Sequence, residues 1–241
     1  MKLLLINANT TQAITDRLVA IARGLAPAGV TVQGATGRFG ARYIASRASS
    51  AIAAHAALDA YAEHGAGADA VLIGCFGDPG LDALRELAPV PVLGLADAAA
   101  TVARGRRFGV VTGGAAWKPM LEEFFAGRCY AAQLAGIRTV APTGGEIARD
   151  PDGALALLAE SCRACMERDG AEVVILGGAG LAGLASRLAV GVPVLCSVEE
   201  GVRAAFAAIG QGGAGLIPHG AVETMGLSPA LAVMLSSGSG L

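Results

Sequence analysis

A cysteine at the end of an apolar run, followed by a turn dense in glycine, is a setting in which a thiol can exchange protons. Residues 71–81 of this 241-residue chain read VLIGCFGDPGL, with Cys75 at the turn. The glycines allow close backbone approach, and successive N–H groups entering a helix near Leu81 can hold an anion or lower a thiol pKa. On local sequence alone Cys75 reads either as a catalyst or as a small buried hydrophobe. A second stretch, VILGGAGLAGL at 174–184, has the same design but carries Gly178 where the first carries Cys75. At that offset Ala68-Asp69 falls on Ala171-Glu172, and Gly74 and Gly77 fall on Gly177 and Gly180. INANTT at 6–11 and VVTGG at 110–114 add side-chain donors at two further strand ends, Asn9 and Thr10 in one and Thr112, beside Gly113, in the other. One of Asn9, Thr10 and Thr11 is expected to cap the helix that runs to Leu25; the others can bind a carboxylate or carbonyl.

Other reactive side chains offer less. Cys162 and Cys165 form a C-x-x-C inside a helical window, with no second pair or histidine cluster, so no metal site is expected. Cys129 reads as structural, and Cys196 ends a strand near the same cleft. His55, His64 and His219 are widely separated and assemble no nucleophilic triad. GGAGLAG at 177–183 lacks the G-x-G-x-x-G of a first strand–helix unit and the acidic residue about 20 positions on, which excludes a dinucleotide. A sugar phosphate on the glycine-rich loops stays open. Arg42, Tyr43 and Arg47, in ARYIASRASS, are either partners for a substrate carboxylate or surface charge.

These residues need a scaffold that brings four strand ends together. Short β-type runs at 2–6, 30–33, 70–74, 92–94, 108–112, 137–140, 173–177, 194–196 and 215–217 alternate with helical windows at 11–25, 50–64, 117–127, 151–169 and 198–209. That alternation predicts an α/β fold with parallel sheets covered on both faces. A repeat on the order of a hundred residues is too long for a solenoid and predicts two pseudo-symmetric lobes, here 1–103 plus 213–241 and 104–212. Ligands of such sheets bind outside the carboxyl ends of the strands, so Asn7, Cys75, Thr112 and Gly178 are expected to share one interlobe cleft. The chain is 54% apolar and 16% charged with a formal net charge of −2, which leaves no electrostatic footprint for nucleic acid. No apolar run reaches the roughly 18 residues of a membrane span, and the opening MKLLLINANTT reads as a buried strand rather than a leader. Five cysteines without disulfide spacing point to a reducing cytoplasm, and the apolar composition to a homo-oligomer.

INANTT, GCFGDPGL, RFGVVT, LGGAGLAG and VPVLCSVEEGV, in that order, resemble the aspartate/glutamate/hydantoin racemase superfamily along essentially the whole chain, most of all its hydantoin and allantoin racemase branch. CFGDPG is the most specific of these motifs. The resemblance implies a two-lobed enzyme without metal or organic cofactor. It also implies a small carbonyl-bearing substrate whose α-proton moves between two thiols, one per lobe. Carried over, the first thiol is Cys75. Asn9, Thr10, Phe76, Gly77, Thr112, Gly113, Gly178 and Ala179 hold substrate, the last two through backbone N–H. Ala8 stands where the family pattern has proline, and Gly178 stands where it has the second cysteine. Four readings follow: a racemase in which water or Cys196 supplies the second proton, a one-cysteine decarboxylase resembling the arylmalonate branch, an isomerase resembling the maleate isomerase branch with Cys75 as nucleophile, and a binding protein that has lost turnover.

Overall fold

Leu3, Leu4, Leu5 and Ile6 are all fully buried, as a strand must be when helices cover both faces of its sheet. Leu3 and Leu5 face one apolar core and Leu4 and Ile6 another, following the two-residue period of a strand. The computed structural model describes residues 1–213 and 220–237.

The first half runs β1 (Lys2–Asn7), α1 (Gln12–Leu25), β2 (Thr31–Thr36), α2 (Arg47–His64), β3 (Ala70–Ile73), α3 (Leu81–Leu87), β4 (Val92–Gly94) and α4 (Leu95–Val102). The second runs β5 (Phe108–Gly113), α5 (Trp117–Ala126), β6 (Leu134–Val140), α6 (Gly144–Arg149), α7 (Pro151–Asp169), β7 (Val173–Gly177), β8 (Val194–Cys196) and α8 (Ser197–Ala208), followed by α9 (Pro229–Ser237). Each half forms a four-stranded, all-parallel sheet, in the orders β2-β1-β3-β4 and β6-β5-β7-β8. The two-lobed α/β architecture expected from the repeat is therefore present, with β1 matching β5 and β3 matching β7. The strand expected at 215–217 lies outside the described residues.

Three helices escape the sequence reading, α4, α6 and α9, while α3 begins at Leu81, where a helix is expected. The helix expected from 50 begins at Arg47, because Ser46 and Ser49 exchange side-chain and backbone hydrogen bonds in a capping box. Thr11 holds the N-cap position of α1 without a side-chain cap. Its hydroxyl instead donates to the carbonyl of Arg42. One continuous apolar core joins the lobes. Residues 197–208, which follow the second sheet, form α8 and pack on α4, α1 and β3 of the first, and α9 packs on α2.

In both sheets the order reverses between the first and third strands of the half. A crevice opens there at the strands' carboxyl ends. Those two switch points face each other.

Candidate active site

The first wall is built on a buried asparagine. Asn7 ends β1, and its side-chain N–H₂ donates to Asn9 Oδ1 (3.0 Å), the Thr11 carbonyl (3.2 Å) and Thr15 Oγ1 (3.1 Å). Asn9 Oδ1 also accepts the N–H of Thr11 at 2.8 Å, which closes an Asx turn and fixes Asn9 at the cavity edge. Thr10 turns away; its N–H donates to the Ala41 carbonyl. On the neighbouring strand the chain leaves β3 through Gly74 to Cys75 and Phe76, all three lining the cavity. Gly77 lies outside it, against the Trp117 ring.

Asp78 anchors this turn. Its buried carboxylate accepts the N–H groups of Ala96 (3.0 Å) and Asp97 (2.8 Å) in the first turn of α4. Burial outweighs those two donors and raises its pKa to about 7. Cys75 keeps part of its surface open to the cavity. Burial and then the Asp78 charge push its thiol up to about 12. This reverses the lowering that a glycine-rich turn suggests: apolar walls and a neighbouring carboxylate dominate the N–H groups.

The second wall is tied differently. Thr112, at the end of β5, donates its hydroxyl to the Gly177 carbonyl at 2.8 Å, and its own oxygen remains an acceptor. Gly178 has φ +119 and ψ 144, and its N–H donates to Ser197 Oγ at 3.2 Å. The N–H expected to hold substrate is thus committed within the fold. Ala179 follows, in a 3-10 turn over Ala179–Leu181, and lines the cavity with Thr112, Gly113 and Gly178. Phe76 reaches across from the first lobe and seats its ring on Gly177, where a Cβ would fall 2.5 Å from a ring carbon.

Between these walls lies a cavity of about 60 Å³. Ile14, Tyr43, Ile44, Trp117 and Leu181 close it with largely apolar surface. The structure thus brings together Cys75, Asn9, Phe76, Thr112, Gly113, Gly178 and Ala179, and leaves out Thr10 and Gly77. Cys196 ends β8 and does not line the cavity. Arg47 pairs instead with Glu123 of α5, across the lobes. Cys162 and Cys165 are buried in α7, and His55 packs edge-on against Phe39. Among the described residues no group of three or more His, Cys, Asp or Glu is placed to hold a metal, and no helix is long and apolar enough to cross a membrane.

Sequence reasoning missed Trp117, Gly144, Leu181 and Ser197, and saw in Tyr43 only a partner for a carboxylate. The repeat itself held the missing signal: if β1 and β5 end at the cleft, the loops after β2 and β6 end near it too. Tyr43 and Gly144 lie just beyond those strands.

Two parallel sheets with opposed switch points, and a cavity between them lined by residues of both halves, define a two-lobed α/β fold. The chain belongs to the Asp/Glu/hydantoin racemase family, whose model matches residues 3–205. It is 32% identical over 208 residues to a hydantoin racemase of Pseudomonas sp. (strain NS671), covering 84% of each chain. It is 31% identical over 220 residues to a hydantoin racemase of Paenarthrobacter aurescens, covering 88% of this chain and 92% of the relative. The crystal structure of allantoin racemase from Pseudomonas fluorescens superposes with a TM-score of 0.82 at 31% identity, over 86% of this chain and 90% of that one.

Proposed function

We propose that the protein moves a proton at the carbon α to a carbonyl of a small cyclic ureide of the hydantoin kind, with Cys75 as the acid–base group. The observation that carries this reading is the placement of Cys75, open to a small interlobe cavity at the switch point of its sheet. The names of the relatives support the substrate class. Asn9 and the N–H groups of Phe76 and Ala179 stand around the cavity as candidate donors to the enolate oxygen. The five free thiols suit a reducing compartment such as the cytoplasm.

A thiol near 12 is protonated at neutral pH, so activity requires its rare thiolate. The rate is expected to climb about tenfold per pH unit through the neutral and mildly alkaline range. The test is each enantiomer of 5-methylhydantoin in D₂O, followed by NMR at the ring carbon. Wild type is expected to incorporate deuterium there, and Cys75→Ala to lose about 10²–10⁴-fold of that rate with at least one enantiomer. Persistence of exchange with both enantiomers in Cys75→Ala overturns the assignment. Gly178 favours a second reading, because a single proton donor suffices when the enolate forms by loss of CO₂. Release of CO₂ from a substituted malonate, with one enantiomer produced, would establish it.

A further inference from the structure

Cys75 accounts for one proton on one face of the substrate carbon. Inversion needs a second acid–base group on the other face, and Gly178 carries none. Among the described residues lining the cavity, only Cys75 and Tyr43 have ionisable side chains. Tyr43 belongs to the first lobe, between β2 and α2, but its ring lies on the second. It packs against Gly144 and Gly145 at the start of α6, and a Cβ on Gly144 would stand 3.0 Å from the phenol oxygen. Gly144 in turn packs against Gly180, two residues beyond Gly178. The hydroxyl therefore lies against the second-lobe wall at Gly144, in the same cavity as Cys75 and Gly178.

We propose that Tyr43 is the second acid–base group, exchanging a proton with the face of the substrate carbon opposite Cys75. The proposal rests on the Cys75 reading above. In one direction the Cys75 thiolate takes the α-proton and the C–H electron pair moves into the enolate. The Tyr43 O–H bond then breaks, its proton forms the new C–H bond on the far face, and the enolate returns to a carbonyl. The site is left as thiol and phenolate, which is the form that accepts the opposite enantiomer. Burial, and then the charge of Cys75, raise the Tyr43 phenol to about 12, the same level as the thiol, so neither group traps the proton. Arg149 and Arg17 pull the other way and Glu146 adds to the rise; Arg42 stands in the same outer groove. The Arg17 guanidinium is fixed by donating to the Ala182 carbonyl at 2.8 Å.

The experiment compares wild type, Tyr43→Phe and Cys75→Ala on each enantiomer of 5-methylhydantoin in D₂O, reading deuterium uptake and optical rotation together. Melting curves confirm that each variant folds. Wild type is expected to exchange and invert both enantiomers. Tyr43→Phe is expected to lose inversion by about 100-fold or more while still exchanging one enantiomer, with retained configuration, through Cys75. Replacing Tyr43 with 3,5-difluorotyrosine, whose phenol is more acidic, should shift the pH profile of inversion downward. A purely structural role would lower exchange and inversion equally, and that result overturns the proposal. So does a Tyr43→Phe protein that inverts at the wild-type rate, or a wild type that exchanges without inverting; in both cases the Cys75 reading stands. Absence of any exchange by wild type removes the Cys75 reading and this inference with it.

Discussion

Gly178→Cys places a thiol opposite Cys75, and the backbone sets the cost. With φ +119 and ψ 144, Gly178 sits close to a region that L residues scarcely enter, where each such residue costs about 1–3 kcal/mol. Space is not the obstacle. A Cβ there would meet Leu181 Cδ1 at 3.6 Å and Thr112 Oγ1 at 3.8 Å, both ordinary contacts. The whole penalty is therefore conformational, and any side chain should incur it equally. For a chain of this size each kcal/mol lowers Tm by about 2–4 °C, so a fall of roughly 2–12 °C is expected. Gly178→Ala should fall as far as Gly178→Cys. Calorimetry on the three proteins at one pH decides the matter. If Gly178→Cys melts with wild type, the 178 backbone is not held as described. If Cys lowers Tm and Ala does not, the cost lies in packing and the argument fails.

Asp78→Asn removes the charge that helps hold the Cys75 thiol at about 12, so the thiol should titrate at lower pH; the pH dependence of iodoacetamide labelling at Cys75 measures it. The same substitution changes stability with pH. The carboxyl is raised from an ordinary value near 4 to about 7, so its stabilising contribution is complete below pH 4 and is lost as pH rises through 7. Thermal melts of Asp78→Asn should accordingly decline less than wild type between pH 4 and 7. Gly177→Ala drives a methyl into the buried Phe76 ring at 2.5–2.7 Å. It should cost about 1–3 kcal/mol, read by urea unfolding, and slow exchange at Cys75 because Phe76 is its neighbour.

Much of the fold was written in the strands. Runs such as Leu3–Ile6 and Val71–Ile73 are apolar at every position because both faces of the sheet are covered, and that continuity marks them as parallel. The Cys75–Gly178 pairing was legible because equivalent strands end at equivalent points of the repeat. Helices α4 and α6 were not. The first of them follows Gly94, which ends a strand, with no polar loop to announce the change of period. Trp117 was hidden for another reason. It reaches the cavity across the lobe boundary, against Gly77 of the first lobe, and no periodicity within one lobe reports a contact with the other. The commitment of the Gly178 N–H to Ser197 is of the same kind, joining residues 19 positions apart through their tertiary arrangement.

The two lobes solve one problem with opposite polarity, and this bears on the chemistry. In each, the turn after the third strand is tied to the start of the helix after the fourth. The first lobe uses an acceptor: the Asp78 carboxylate takes N–H groups from Ala96 and Asp97. The second uses a donor: the Gly178 N–H gives to Ser197 Oγ. Sheet order is the same in the two halves, and so is strand register apart from a shift between Phe108 and Gly109 where β5 meets β6, while a buried carboxylate stands beside one wall and a neutral hydroxyl beside the other. A negative charge beside a thiol favours its protonated form. Burial first, and this charge second, keep the Cys75 thiol protonated. A Cβ at 178 would lie nearest Leu181 Cδ1 and Thr112 Oγ1, with no carboxylate among its nearest neighbours. The two faces of the cavity are unequal before any catalytic side chain is counted.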